Sequence, residues 1–385
     1  MKKIIFLIIG MFLFLTNFKA ETMLAKNAKS AILIEASTGT IIYEHNSHEK
    51  LDPASMTKMM SLLLVMENIE KGVITWNQMV TVSPNASGMG GSQILLETGE
   101  RMSVEDLVKG VSIASGNDAI FALAEVIAGT EENFVNMMNT KAQELGLKDT
   151  NFKNCHGLDE EGHYSSAYDM SMIARELVKH EKILEFTSIY ETYLRENTKR
   201  KIWLVNTNKL VRFKEGVDGL KTGYTSGAGY CLTATMKNNN MRVIATVMGE
   251  PDSSTRNSEV SSMLDYAYSQ VGIKTVLKKN DIVETIDMPS ANKRIEIVPV
   301  QDVNVLYKKL DGDINPTYEV KLNTIKLPIK NGDVVGTIDV YNNNKLVNTT
   351  NLTVKYDVGK CNILELYVKN LSDIVTGNIS FLKSN

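Results

Sequence analysis

Between Ser30 and Asn46 the chain reads SAILIEASTGTIIYEHN. Two apolar, β-rich runs flank Ser37-Thr38-Gly39, which predicts a β-hairpin. DPASMTKMMSLLLVME, from Asp52 to Glu67, is nearly continuous in apolar residues. It predicts a core helix opened by Pro53 and capped by Ser55. From Met102 to about Lys179 apolar positions recur at helical spacing, broken at Gly129 and Gly146. Ser103 reads as a cap, with Asp106 in the place that Glu or Gln fills in a capping box. Strand patterns return in GVDGLKTGY, AGYCLTATMK and MRVIATVMG, with Asn238 to Asn240 as a turn, and STRNSEVSSMLDYAYSQVG predicts a closing helix. This order implies an α/β (α+β) unit: an antiparallel sheet, its first and last strands side by side, flanked by helices.

From about Lys278 the pattern shortens. RIEIVPV, VNVLY, YEVKLNTIKLPI, DVVGTIDVY and LTVKY alternate between Asn, Gly, Asp and Pro turns, which predicts a small all-β domain. It holds no histidine and no convergent polar cluster. The tail returns to helical period: Leu364, Tyr367, Val368, Leu371, Ile374, Val375, Ile379 and Leu382 share one stripe, interrupted at Gly377. Such a C-terminal amphipathic helix either docks on the β domain or lies in a membrane interface, although its polar face is only weakly basic.

At the other end, Lys2 and Lys3 precede an apolar run from Ile4 to Leu15. A basic start before a short apolar stretch is an export signal, and the run is shorter than the roughly 20 residues of a spanning helix. Cleavage is expected near Ala20; a retained anchor is the alternative, because Phe18-Lys19-Ala20 matches the small-x-small rule poorly. The expected organisation is a signal peptide over 1–20, a main domain over 21–275, the all-β domain over 276–358 and the amphipathic helix over 359–385. The body is expected outside the cytoplasmic membrane, in the cell-wall space.

Composition adds exclusions. A net charge of −3 gives no reason to expect nucleic acid as a partner, and no phosphate-binding glycine loop is present. Cys155, Cys231 and Cys361 are too few for a disulfide framework. In NCHGLDEEGHYS, Cys155, His156 and His163 offer metal-ligand chemistry, but Gly157 and Gly162 mark a turn-rich loop without zinc spacing. No metal and no cofactor is expected.

Ser55 and Lys58 stand three apart at the helix start, so their side chains are neighbours. A capped core helix with an exposed lysine is the plain interpretation. A nucleophile with its base is the other, since a serine hydroxyl needs a base and a desolvated lysine can act as one. Two further segments change the balance. SIASGNDAI carries Ser115 and Asn117 at a break between helices, and GLKTGYT carries Lys221, Thr222 and Gly223 on a strand. Ser-x-x-Lys, Ser-x-Asn and Lys-Thr-Gly, in this order, form the signature of penicillin-binding proteins and their β-lactamase relatives.

From about Ala31 to Gly272 the chain resembles the low-molecular-mass penicillin-binding proteins that act as serine-type D-alanyl-D-alanine carboxypeptidases. PASMTK, GGSQILLETGE, SGNDAIFALAE and VDGLKTGYTSGAGYCLTATM all look like segments of that family. The resemblance implies a penicillin-binding/β-lactamase-like fold, followed by the β domain and amphipathic tail. It implies that peptidoglycan stem peptides are the substrate and that β-lactam antibiotics bind covalently. Ser55 would attack the carbonyl between two terminal D-alanines and Lys58 would take its proton. Ser115 would relay a proton to the leaving amine. Asn117 would bond both the substrate amide and Lys58, while Lys221 and Thr222 would meet the substrate carboxylate. Gly223 would let the substrate backbone lie close. The N–H groups of Ser55 and Tyr224 would form an oxyanion hole, worth about 2.7–4 kcal/mol per donor. Arg256 would help hold the carboxylate, or instead form a surface ion pair at a helix start. Lys221 would also help depress the pKa of Lys58. An endopeptidase, a transpeptidase, a β-lactamase and a penicillin-binding module without turnover remain as alternatives.

Overall fold

A computed structural model describes residues 23–375. The expected export signal and the tail beyond 375, with Ile379 and Leu382, lie outside them. The hairpin forms as β1 (Ser30–Glu35) and β2 (Ile41–His45). Its turn is built by Glu35, whose buried carboxylate accepts from Ser37 N, Ser37 Oγ, Thr38 N and Thr38 Oγ1 at 2.7–2.9 Å. The helices are α1 (Lys58–Glu70), α2 (Val104–Ala114), α3 (Asn117–Ala128), α4 (Glu131–Glu144) and α5 (Ala167–Leu177). The strands β3 (Val217–Thr225), β4 (Gly229–Asn238) and β5 (Met241–Glu250) follow, then α6 (Ser253–Gln270).

The five strands form one antiparallel sheet in the order β2-β1-β5-β4-β3. The first strand pairs with the last, as the pattern predicts. Both faces are covered, which is why SAILIE is buried throughout. Ile32 and Ile34 point into a large core with α1 and the helical block, while Ala31 and Leu33 join Val260, Met263 and Leu264 of α6 on the opposite face. Each such fully buried aliphatic side chain stabilises the fold by about 1.5–3 kcal/mol.

Ser103 caps α2, its Oγ accepting from Asp106 N at 3.1 Å, but Asp106 pairs with Lys109. The Ser55 cap is corrected. Ser55 lies inside a single 3-10 turn, Ala54–Thr57, that leads into α1, and no side chain caps that turn. Two short antiparallel pairs were not apparent in the pattern: Met79–Thr81 with Arg101–Ser103, and the hairpin Glu191–Leu194 with Ile202–Val205.

Strand Val271–Leu277 continues directly from α6 and pairs with Val303–Lys308. Beyond it lies a five-stranded antiparallel sheet over its own core of Ile295, Ile297, Ile338, Val340, Leu352 and Val354. The helix Ile363–Val375 follows, with Leu364, Tyr367, Val368, Leu371 and Val375 exposed rather than docked. Among the described residues no helix is long and apolar enough to cross a membrane.

Candidate active site

Ala54, immediately before Ser55, holds a left-handed backbone with φ of 48°, which turns the chain sharply into α1. The lysine one turn on is fully buried, so an exposed Lys58 is excluded. Its Nζ lies 2.8 Å from Ser55 Oγ and donates to the His156 carbonyl at 2.6 Å. Burial pushes the amine pKa down to about 7, against smaller opposing effects of Cys155 and Asp118. A neutral amine beside a hydroxyl at neutral pH is a general base in place.

The loop suspected of metal binding forms the floor under this turn. His156 supplies its carbonyl to Lys58, and Cys155 supplies its carbonyl to Ser61 Oγ at 2.7 Å. Gly157 has φ of 88°, and a Cβ there would fall on the Ala54 carbonyl, so only glycine fits. His163 Nδ1 accepts from Lys153 N, which leaves Nε2–H to donate to Thr57 Oγ1 at 2.8 Å. Burial and the neighbouring Lys58 lower the His156 pKa to about 3. Its 3.4 Å approach to Glu131 is therefore not an ion pair. Cys155 is buried, and its thiol pKa is raised by that burial and by Glu131.

Ser115 ends α2 with φ of 61°, and Asn117 begins α3. Both are buried, and Ser115 Oγ and Asn117 Oδ1 have no protein hydrogen-bond partner, so the expected Asn117–Lys58 bond is corrected: the Lys58 amine is turned to Ser55 and the His156 carbonyl instead. Asn117 is held by its other atoms: Nδ2 donates to Gly90 O and N donates to Ser92 O, each at 2.7 Å. Asp118, next in the chain, accepts from Ile94 N and Leu96 N at 3.0 Å, which ties the 90–97 loop to the start of α3.

Strand β3 packs against the 54–57 turn. A Cβ on Gly223 would lie 2.7 Å from Pro53 O and 3.1 Å from Ala54 Cβ, so the missing side chain makes room for the turn that carries Ser55. Lys221 is buried, with Nζ donating to Thr222 O at 2.9 Å. Thr222 Oγ1 bonds Thr207 Oγ1 at 2.8 Å. Tyr224 is exposed, its ring 4.3 Å from Tyr230. Arg256 is buried and donates to Asn257 Oδ1 at 2.9 and 3.1 Å, which corrects the surface ion-pair alternative. Burial, then the charges of Lys58 and Arg256, hold Lys221 well below the usual lysine range. Lys58 and Lys221 lower one another by like-charge repulsion, as expected, but burial is the larger cause for each. The arrangement thus sets a hydroxyl beside a buried amine whose pKa is lowered to about 7, two unsatisfied polar atoms on one wall, and the basic side chains of Lys221 and Arg256 on the other. That is the equipment for acyl transfer to serine from a substrate bearing a carboxylate.

Sequence reasoning missed the His156 carbonyl, because a backbone atom leaves no signature in residue type. It also passed over Asp118, which stands beside Asn117 in the motif.

Comparison with known proteins agrees. The family described as D-alanyl-D-alanine carboxypeptidase matches residues 17–252, and the C-terminal domain of penicillin-binding protein 5 matches residues 273–360. D-alanyl-D-alanine carboxypeptidase DacF of Bacillus subtilis is 47% identical over 92% of this chain and 92% of its own length. Penicillin-binding protein 5 of Haemophilus influenzae superposes with a TM-score of 0.70 at 32% identity, covering 86% of this chain and 98% of that one. Penicillin-binding protein D2 of Listeria monocytogenes, solved in an ampicillin-bound form, covers 63% of this chain and 98% of its own, with a TM-score of 0.57 and 28% identity. With the family matched through the whole Ser55, Ser115 and Lys221 framework and a close relative along nearly its full length, the chain belongs to the D-alanyl-D-alanine carboxypeptidase family of serine peptidases.

Proposed function

We propose that Ser55 carries the acyl group when this enzyme removes the terminal D-alanine from a peptidoglycan stem pentapeptide. The observation that supports it most is the 2.8 Å approach of Lys58 Nζ, from an amine with a pKa of about 7, to Ser55 Oγ. Lys221, with Thr222 and Arg256, receives the terminal carboxylate, and Asn117 Oδ1 accepts the substrate amide N–H. Lys58 takes the hydroxyl proton as Oγ bonds the carbonyl carbon. The N–H groups of Ser55 and Tyr224 stabilise the oxygen where negative charge develops. As the C–N bond breaks, Ser115 hands its hydroxyl proton to the leaving D-alanine amine and is reprotonated by Lys58, which returns the lysine to its neutral form. Water then attacks the ester, giving up a proton to Lys58; as the ester C–O bond breaks, Lys58 returns that proton to Ser55 Oγ, and the shortened peptide leaves. A β-lactam enters as an amide of the same shape and leaves a slowly hydrolysed ester on Ser55. The ampicillin-bound Listeria relative supports this reading.

The body acts on the outer side of the cytoplasmic membrane after export. The exposed apolar side chains of Ile363–Val375 support its resting in the membrane interface. Mass spectrometry of the penicillin adduct, with D-alanine release from a pentapeptide, tests nucleophile and reaction together. The adduct is expected on the peptide containing Ser55 and absent from Ser55→Ala; an adduct that persists in that variant overturns the assignment. Cross-linked dimer formed in place of free D-alanine would instead indicate a transpeptidase, and rapid nitrocefin turnover a β-lactamase.

A further inference from the structure

The hairpin Glu191–Leu194 with Ile202–Val205 has an inner and an outer face. Leu194 and Leu204 are buried, and the second strand packs on α2. Tyr193 and Trp203 are ladder partners on the outer face, 43% and 57% exposed. The chain has only two tryptophans, and the other, Trp76, is packed against Phe186. A cavity of about 460 Å³ opens where the hairpin's second strand begins, lined in part by Gln93, Leu95, Glu97, Arg200, Lys201 and Ile202.

The charge of this region runs against the whole. Residues 190–214 carry seven lysines and arginines and two glutamates in a chain whose net charge is −3. Lys201 lies over the Tyr193 ring at 4.0 Å. The hairpin is also tied to the catalytic walls. Arg195 donates to Ile94 O at 3.0 Å in the loop that Asp118 holds beside Asn117. Past the hairpin, Thr207 bonds both Thr222 Oγ1 and the Ile113 carbonyl of α2.

We propose that this outer face is a docking surface for the peptidoglycan strand whose stem peptide occupies the active site, an inference that rests on the function proposed above. Tyr193 and Trp203 offer flat apolar faces to sugar rings, whose axial C–H groups pack on aromatic surfaces, and both side chains are stiff enough to lose little entropy on contact. The exposed Lys199 and Lys201 face the carboxylates that stem peptides carry along the polymer, while Arg200 is held by Glu97 and Glu100. A small peptide substrate is too short to use this surface.

The full chain and its Tyr193→Ala, Trp203→Ala and Lys201→Glu variants are compared in three measurements: co-sedimentation with insoluble peptidoglycan, D-alanine release from a soluble pentapeptide, and co-sedimentation with vesicles of anionic phospholipid. Each variant is expected to bind peptidoglycan about tenfold more weakly, the loss of one anchoring contact. Pentapeptide hydrolysis and vesicle binding should stay within about twofold of wild type. Unchanged peptidoglycan retention overturns the proposal, and so does a loss confined to vesicles, which would identify a lipid surface. Penicillin labelling reports folding; if Trp203→Ala fails to label, the exposed Lys201→Glu decides. A wild type that releases no D-alanine from the pentapeptide refutes the enzymatic reading instead and leaves the retention result to stand on its own.

Discussion

A lysine amine kept from water holds its proton weakly, and Lys58 is wholly enclosed. Acylation by penicillin should therefore rise with pH through about 7, as the amine loses its proton, and stopped-flow acylation rates across pH 5 to 9 would trace that limb. Lys58→Ala should cut the plateau by about 10²–10⁴-fold while circular dichroism stays unchanged. The same group sets a sign for stability. Its folded pKa lies below its unfolded value, so between the two the unfolded chain binds the extra proton. Its contribution to stability accordingly rises with pH from about 7 to the ordinary lysine value of 10.5. Lys221 is held well below the lysine range by burial and by the basic groups of Lys58 and Arg256, a penalty that a substrate carboxylate relieves. Lys221→Ala should raise KM for a peptide ending in a free carboxylate far more than for its C-terminal amide; equal losses would remove the role given to this residue. The chemistry-bearing residues were legible in the sequence because each sits in a short local motif. Their burial was not: nothing in the residue order says that Lys58 and Arg256 lie inside.

Between residue and fold, the hairpin at 191–205 shows what pattern analysis loses. Its strands, ETYL and IWLV, are four residues each and are separated by a polar loop, too short for a period to emerge. Yet it braces the site. Glu100, held at a pKa of about 2 by Arg195, Arg200 and a Glu97 N–H despite opposing burial, locks the hairpin to the loop before α2. Arg195 reaches further, to the carbonyls of Ile94 and Leu95. That stretch holds Asn117 through Ser92 and Gly90. Arg195→Ala should thus loosen one wall of the site without touching substrate. A kcat/KM about tenfold lower is expected, most of it in kcat, with Arg195→Lys restoring part of the loss. An unchanged kcat in Arg195→Ala would show that the brace is structural only. Helices α1, α2 and α6 were legible for the opposite reason, since each carries a long periodic face or a sharp start signal.

At the scale of the whole chain, two bodies meet through few polar contacts, among them Asn304 Nδ2 to Ser37 Oγ at 3.1 Å and Lys309 Nζ to the Tyr268 carbonyl at 2.6 Å. The β domain brings no group to the active site. A chain ending at Asn362 should keep its rate on soluble pentapeptide and lose sedimentation with membranes; retained sedimentation would take the tail out of membrane binding. The order of elements was legible because runs of strand and helical period succeed one another along the chain, whereas the contacts between the bodies depend on single side chains. One topological fact reaches beyond the finished enzyme. Since β1 is paired along its length with β5, Ser30 waits for Met248, roughly two hundred residues of chain away. A polypeptide threaded outward with its amino end first would emerge with β1 paired to β2 on one edge and its other edge open until nearly the whole catalytic body had followed. Its apolar SAILIE segment would need shielding from other chains throughout that interval.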